Sequence, residues 1–91
     1  MKPCGIVTYG VSTYGGIRAA MALRPFLAEI GTISVSKITA VPCAQDCLLE
    51  DGTPKDPEDK SLRVFSAMME QVEFLALAVL RQRAFEATAS P

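Results

Sequence analysis

The sequence lacks several residue types and patterns, and each absence limits what the chain can do. It contains no histidine, which excludes Ser-His and Cys-His nucleophilic catalysis and removes the commonest zinc ligand. It also contains no tryptophan and no asparagine, so it has no N-glycosylation acceptor. The formal net charge is −1 and the basic residues are not clustered, so the electrostatic pattern of a nucleic-acid-binding protein is missing.

Long apolar runs and a dense cysteine framework are missing as well. The longest wholly apolar run covers residues 74–80, far below the ~18–20 residues that span a bilayer. A proline and a glycine interrupt the first residues, which therefore do not resemble a signal peptide. The three cysteines are an odd number without regular spacing, which is typical of a reducing compartment. We expect a cytoplasmic protein with no membrane or nucleic-acid partner.

The residues that are present predict one α/β unit. The chain has 91 residues, of which 49% are hydrophobic and 21% charged, an ordinary balance for a folded domain. Apolar periodicity and turn residues predict the order strand–helix–strand–helix, in which a right-handed crossover joins two parallel strands. The predicted elements are a strand over about 2–8, a ligand loop over 9–16, a helix over about 17–30, a strand over about 32–41, an acidic loop over 42–56 and a helix over about 57–86.

Local signals refine these elements. Gly31 follows the first helix where a left-handed C-terminal cap belongs, and Ser12 or Thr13 is a candidate for the N-terminal cap. The apolar alternation of the second strand changes phase around Lys37, which predicts a bulge there. Asp56 precedes a proline and two further acids, so we expect it to cap the second helix.

The second helix carries more apolar surface than one sheet face covers. Its apolar residues step by three and four, the period of an amphipathic helix. These residues are Leu62, Phe65, Met69, Val72, Ala76 and Val79. Residues 74–80 are in addition apolar almost all round, which indicates burial against another polypeptide surface as well as the sheet.

The loop TYGVSTYGG, residues 8–16, invites three catalytic or nucleotide-binding interpretations, and the residues exclude each of them. A P-loop needs Lys and Ser/Thr where Gly16 and Ile17 stand, and a hydrolase elbow needs glycine where Tyr14 stands. The dinucleotide fingerprint GxGxxG is absent. Two interpretations remain. The loop either binds a flat, polar-edged ring at the carboxyl end of a strand, or it is a tight turn whose glycines allow close helix–strand packing.

Two further clusters have unspecific patterns. Cys43 and Cys47 are four residues apart, which is not the C-x-x-C spacing of a redox pair, so we interpret them as free thiols. The acids between residues 50 and 59 do not follow an EF-hand pattern, and we interpret them as a solvated loop with a helix cap. We predict no metal site.

The order of the motifs resembles one family. A strand ending V-T-Y-G, a Ser/Gly loop, G-G-I-R-A-A-x-x-L-R-P-x-L-A-E-I-G and then V-P-x-A-x-x-x-L-x-E-D-G-x-P-x-D-P before a long helix are similar to NAD(P)H-dependent FMN reductases, which are flavodoxin-like flavin and quinone reductases. The similarity covers about residues 2–83. It implies a parallel sheet of order 2-1-3-4-5, of which this chain supplies the C-terminal half.

The resemblance also implies a cofactor site. By position, the loop after the first strand of this chain would contact the isoalloxazine ring of FMN, with NAD(P)H as co-substrate and a quinone or similar small molecule as acceptor. The implied cofactor-binding residues are Thr8, Tyr9, Gly10, Ser12, Thr13, Gly15 and Gly16. No residue is implied as a catalytic acid, base or nucleophile, because the hydride chemistry belongs to the flavin.

The chain departs from the family where the phosphate and the far side of the ring are held. The family's Ser/Arg phosphate loop and its Pro-x-Tyr-Asn loop have no counterpart, and losing the phosphate contacts lowers affinity by ~10³-fold or more. We therefore expect FMN binding by the isolated chain to be weak or absent. The first hypothesis is an enzyme half, completed by an N-terminal half-domain chain or by a homo-oligomer. The alternative is a non-catalytic module that self-associates without flavin.

Overall fold

The predicted order of elements is confirmed. The computed structural model describes residues 1–89, so the last two residues of the predicted unit lie outside it. Its elements are β1 (Lys2–Tyr9), α1 (Ile17–Glu29), β2 (Thr32–Val41), a 3-10 turn (Ala44–Asp46) and α2 (Lys60–Ala89). The described chain is therefore a mixed α/β unit with one two-stranded sheet and two α-helices.

The two strands are parallel and their register is interrupted once. Cys4 pairs with Ser34, but two residues later Ile6 pairs with Ile38, so β2 accommodates two more residues than β1 across this interval. The bulge expected around Lys37 is therefore confirmed. Beyond it the strands run together to their carboxyl ends at residues 9 and 41.

The helices cover opposite faces of the sheet. On one face, Met68 of α2 lies against Gly5, and its Sδ accepts a hydrogen bond from Thr39 Oγ1 at 3.5 Å. On the other face, Thr8 lies against Gly16 at the start of α1. The buried core is small and consists of Ile6, Ala20, Val35, Thr39 and Met68.

The start of α1 differs from the expectation and its end agrees with it. Gly16, in a left-handed conformation, precedes the helix and no side chain caps it. The Ser12 hydroxyl instead accepts the Tyr14 N–H at 3.4 Å within the preceding turn, and Thr13 is exposed, so the prediction of a Ser12 or Thr13 cap is wrong. Gly31 has φ 84° after the helix, which confirms the left-handed C-terminal cap.

The second helix begins at Lys60, later than the sequence pattern predicts. Asp59 Oδ1 accepts the Ser61 N–H at 2.8 Å and caps the helix. Asp56 Oδ1 accepts the Glu58 N–H at 2.9 Å and so closes a separate turn before the helix. The assignment of the helix cap to Asp56 is therefore wrong, because Pro57, Glu58 and Asp59 lie between it and the first helical residue.

Only part of the apolar stripe of α2 meets the sheet, since Val72, Ala76 and Val79 are half-buried. Met68 is buried at 2% exposure, whereas its stripe neighbours Phe65 and Met69 remain 42% and 45% exposed. Successive helical residues are separated by about 100°, so the stripe is turned to one side of the sheet-facing line through Met68. A large apolar strip along α2 is therefore unpaired within the described residues.

The unit exposes much more surface than a compact chain of its size. Its radius of gyration is 16.5 Å, against about 12 Å expected for 91 residues. Its accessible surface is 6780 Å², against about 5,200 Å² for a compact monomer of this mass. Although α2 has 30 residues, neither helix of residues 1–89 has the combination of length and hydropathy that a membrane crossing needs.

Candidate functional site

At the carboxyl ends of the two strands, the loops that follow them are hydrogen-bonded to each other. The Gly10 N–H donates to the Val41 carbonyl at 3.2 Å, and the Ala44 N–H donates to the Gly10 carbonyl at 3.0 Å. The Cys43 N–H donates to the Ser12 carbonyl at 2.9 Å. These bonds use backbone groups that would otherwise face solvent, so the two loops form one continuous rim at the carboxyl edge of the sheet.

The two adjacent glycines of this rim are packed tightly against the strands. Gly15 is buried with φ 59°, and a Cβ there would lie 2.9 Å from backbone atoms of Val41 and Pro42. Gly16 has φ 81°, and a Cβ there would lie 3.0 Å from the Tyr9 carbonyl oxygen. Both positions need glycine for conformation and for close approach. The interpretation of this pair as a packing device therefore has direct structural support.

A cavity of about 670 Å³ opens beside the rim, on the α2 side of the sheet. Val7 and Tyr9 of β1 form one wall, and Leu48, Pro54 and Leu62 face them from the long loop and the start of α2. Among the described residues that line it, Asp59 is the only charged one. The volume is in the range of small-molecule sites, about 300–1,000 Å³, and the walls are predominantly apolar as such sites require.

The long loop 42–59 is held in shape by its own hydrogen bonds. The Gly52 N–H donates to the Leu49 carbonyl at 2.9 Å, and the Leu49 N–H donates to the Thr53 carbonyl at 2.8 Å. Asp51 Oδ1 accepts the Thr53 hydroxyl at 2.7 Å and the Thr53 N–H at 3.0 Å. These two bonds hold the pKa of the Asp51 carboxyl below its ordinary value, and the bond from the Thr53 hydroxyl has the larger effect. The turn thereby brings Leu48 opposite Pro54 at the cavity wall.

Cys47 lines the same cavity, and its surroundings favour the protonated thiol. Desolvation raises its pKa above the ordinary value, and the Asp59 carboxylate raises it further, while Lys55 acts in the opposite direction. Its Sγ donates to the Pro42 carbonyl at 3.2 Å. A reactive cysteine needs a lowered pKa, so this thiol is suited to packing and weak hydrogen bonding. Cys43 and Cys47 are both free thiols.

The structure distributes the seven predicted cofactor residues over three environments. Tyr9 and Gly10 line the cavity. Thr8, Gly15 and Gly16 lie where α1 meets the sheet, and the Thr8 hydroxyl is buried without a hydrogen-bond partner among the described residues. Ser12 and Thr13 are exposed on the rim.

Sequence reasoning missed the opposite wall of the cavity. It interpreted residues 42–56 as a solvated acidic loop, yet Leu48 and Pro54 of that loop line the cavity with Leu62. The signal that could have found them is the apolar pair Leu48-Leu49 in the middle of a polar, acid-rich segment. Such a pair in a loop favours a local packing or binding role.

The cavity is suited to binding and orientation and offers little acid–base chemistry. Its walls carry no Lys or Arg among the described residues, and Asp59 already accepts the Ser61 N–H as the cap of α2. Within residues 1–89 no group of three or more His, Cys, Asp or Glu side chains is arranged to hold a metal ion. Comparisons with models of protein families, with curated proteins and with solved structures found no significant match.

Proposed function

We propose that this chain is the C-terminal half of a flavodoxin-like NAD(P)H-dependent FMN reductase and supplies one wall of its flavin site. The observation that supports the proposal is the apolar cavity at the carboxyl ends of two parallel strands, with Tyr9 and Gly10 on its wall. Ligands of open parallel α/β sheets bind at this edge. The resemblance of the motif order to that family names the ligand class.

The composition of the cavity walls supports a flavin ring as the ligand. A flat, largely apolar ring needs apolar walls and a few polar groups at its edge, and the cavity offers Val7, Leu48 and Leu62 with Tyr9 alongside. An aromatic side chain beside the ring contributes stacking or edge contacts. When bound, a flavin supplies the hydride and electron chemistry itself, and the role of these residues is to hold and orient the ring and to exclude water.

The cavity does not fit the phosphate of FMN. Phosphate is held by oriented N–H groups and by Arg or Lys, and the only charge on the described walls is the carboxylate of Asp59. A carboxylate repels a phosphate dianion. The phosphate site therefore belongs to a second polypeptide surface, and the complete reductase passes hydride from NAD(P)H to a quinone or similar acceptor only when that surface is present.

A flavin titration of the chain with two ligands tests the proposal. We expect riboflavin and FMN to bind weakly and with dissociation constants within about threefold of each other, because the described cavity walls carry no Lys or Arg that could hold the phosphate. Flavin fluorescence measures both. Tyr9→Ala should weaken binding of both ligands, because it removes aromatic surface from the wall.

Tyr14→Ala is the matched control. Tyr14 lies in the same loop but does not line the cavity, so its removal should leave both affinities unchanged. FMN that binds tenfold or more tightly than riboflavin would show that the chain carries a phosphate site. Absence of binding for both ligands, or an equal loss in the two tyrosine variants, would contradict the assignment of the cavity to a flavin ring.

The second candidate is a self-associating module that holds no flavin. The specific observation that favours it is the exposed apolar surface, which includes Phe26, Phe65 and Met69. A colourless protein that forms a defined oligomer and binds neither flavin would support it over the reductase half.

A further inference from the structure

The two edges of the sheet differ in how their unpaired backbone groups are bound. The bulge of β2 exposes backbone groups that β1 does not pair, and side chains from both helices bind them. Arg24 Nη2 donates to the Val35 and Ser36 carbonyls at 3.0 and 2.8 Å, and Gln71 Oε1 accepts the Lys37 N–H at 2.9 Å. A bulge that is capped in this way, with an exposed lysine beside it, blunts a strand against further pairing.

The outer edge of β1 has weaker protection, and Pro3 near its start is the one proline in the strand. Within residues 1–89, β2 is the sole partner of β1, so alternate backbone groups of β1 point away from the sheet without a partner strand. The strand is regular beyond Ile6, and Lys2, at its first position, carries its single charge. A regular, nearly uncharged edge is a template for pairing with another strand.

The flanks of both helices are apolar on the β1 side. Met68 marks the line where α2 meets the sheet, and Gln71 marks the side towards the β2 bulge. At about 100° per residue, Phe65 and Met69 lie on the opposite side of that line, towards the β1 edge. Both residues belong to the apolar stripe of α2, and both are exposed.

The same separation holds for α1. Ala20 is fully buried and Arg24 reaches the β2 bulge, so the helix phase places Leu23, Phe26 and Ile30 on the β1 side. All three are exposed, Phe26 to 61%. The β1 edge is therefore flanked by apolar side chains on both faces of the sheet, and we call this whole surface the β1 face.

We infer that the β1 face of the isolated chain pairs with the β1 face of a second copy, through antiparallel β1 strands, to form a dimer with one four-stranded sheet. This edge is the one that an N-terminal half would pair in the complete reductase, so the two partners exclude each other. A two-fold axis perpendicular to the sheet keeps both α2 helices on one face and both α1 helices on the other. Each helix packs on both strands and lies nearer β2, so it is two to three strand spacings, about 10–14 Å, from its symmetry mate. Packed helices lie about 8–10 Å apart, and the large side chains of Phe65, Met69 and Phe26 are placed to fill the remaining gap.

The area of exposed surface agrees with this partner. The chain exposes 6780 Å², about 1,600 Å² more than a compact monomer of its mass. Burial of all of that excess by both copies sets an upper limit of about 3,200 Å² for the interface, and obligate homodimers bury about 2,000–5,000 Å². The contact is isologous, and the blunted β2 edges point outwards, so assembly ends at two copies.

The mass of the chain in solution, measured without flavin by light scattering and sedimentation equilibrium, tests this inference independently of the flavin proposal. We expect twice the monomer mass of 9.8 kDa. Phe65→Lys should give the monomer mass, because it places a charge in the paired stripe. The matched control is Phe74→Lys. Phe74 is on the same helix and 73% exposed, but it lines the groove beside the β2 bulge, so this variant should remain a dimer.

A second measurement guards against variants that fail to fold. Hydrogen exchange of the wild-type β1 amides should slow as concentration rises through the dimer transition, since half of them gain partners only in the dimer. A wild-type chain that stays monomeric at millimolar concentration overturns the inference. So does assembly beyond two copies, dissociation by Phe74→Lys with Phe65→Lys still dimeric, or β1 exchange that does not change with concentration.

Discussion

Replacement of Gly15 by alanine measures how strongly the rim depends on close backbone contact. Gly15 has φ 59°, and an added Cβ would lie 2.9 Å from the Pro42 nitrogen and the Val41 carbonyl carbon. Both atoms belong to backbone, so neither can move away by a side-chain rotation. The substitution therefore combines a left-handed backbone penalty with a steric clash that only a shift of the rim relieves.

The magnitude follows from these two contributions. A left-handed non-glycine residue costs about 1–2 kcal/mol, and overpacking costs about 1–3 kcal/mol. Gly15→Ala should therefore lower the free energy of unfolding by about 2–5 kcal/mol. Gly31→Ala is the control, since Gly31 also has positive φ but no atom lies within 4 Å of its added Cβ. It should cost about 1–2 kcal/mol.

Urea unfolding followed by far-ultraviolet circular dichroism gives both values. The protein concentration must be the same in all samples, because association changes apparent stability. A domain of this length has about 5–14 kcal/mol in total, so Gly15→Ala should shift the midpoint strongly. If Gly15→Ala costs no more than Gly31→Ala, the contact with Val41 and Pro42 is not a tight one and the packing role of Gly15 is refuted.

Two further predictions concern titrating groups of the long loop. Asp59→Asn should lower the pKa of Cys47, because it removes a carboxylate that raises this pKa, while asparagine still caps α2. The pH dependence of Cys47 alkylation, followed by peptide mass spectrometry, should then shift to lower pH. An unchanged alkylation profile would contradict the effect of Asp59 on Cys47. Thr53→Val should raise the pKa of Asp51 towards its ordinary value by removing the hydroxyl bond. A carboxyl group whose pKa is lowered in the folded state stabilises the fold at pH values above its unfolded pKa, and this stability is lost as the pH falls through the folded pKa. The stability difference between wild type and Thr53→Val should therefore shrink on acidification. A stability difference that does not depend on pH would refute the role of this bond.

Much of the local structure is determined by residues that are near one another in sequence. The order of elements, the left-handed Gly31 and the bulge near Lys37 all agree with the sequence pattern. Helical period, strand alternation and glycine at positive φ depend on backbone sterics over a few residues, so a single sequence carries this information. The helix caps were less predictable, because Asp56 and Asp59 both satisfy the cap pattern and only one of them immediately precedes the helix.

The candidate site was only half predictable. Tyr9 ends β1 and Gly10 follows it, at the edge of the sheet where ligands bind, and that rule is readable from the sequence. Leu48, Pro54 and Leu62 reach the same cavity only because the turn around Gly52 folds the long loop back over the sheet. The sequence does not show how close this loop comes to β1, so sequence analysis alone interprets Leu48 and Pro54 as part of a solvated loop.

The sequence by itself determined that the chain is a strand–helix–strand–helix unit with a glycine-dependent rim and an excess of apolar residues on its last helix. Only the tertiary structure decided how α2 is turned. A three–four repeat fixes which residues share a helix face but not which partner that face meets, because this depends on packing between segments far apart in sequence. Met68 packs above Gly5 and meets the sheet, whereas Phe65 and Met69 lie to one side of this contact, towards the open edge of β1.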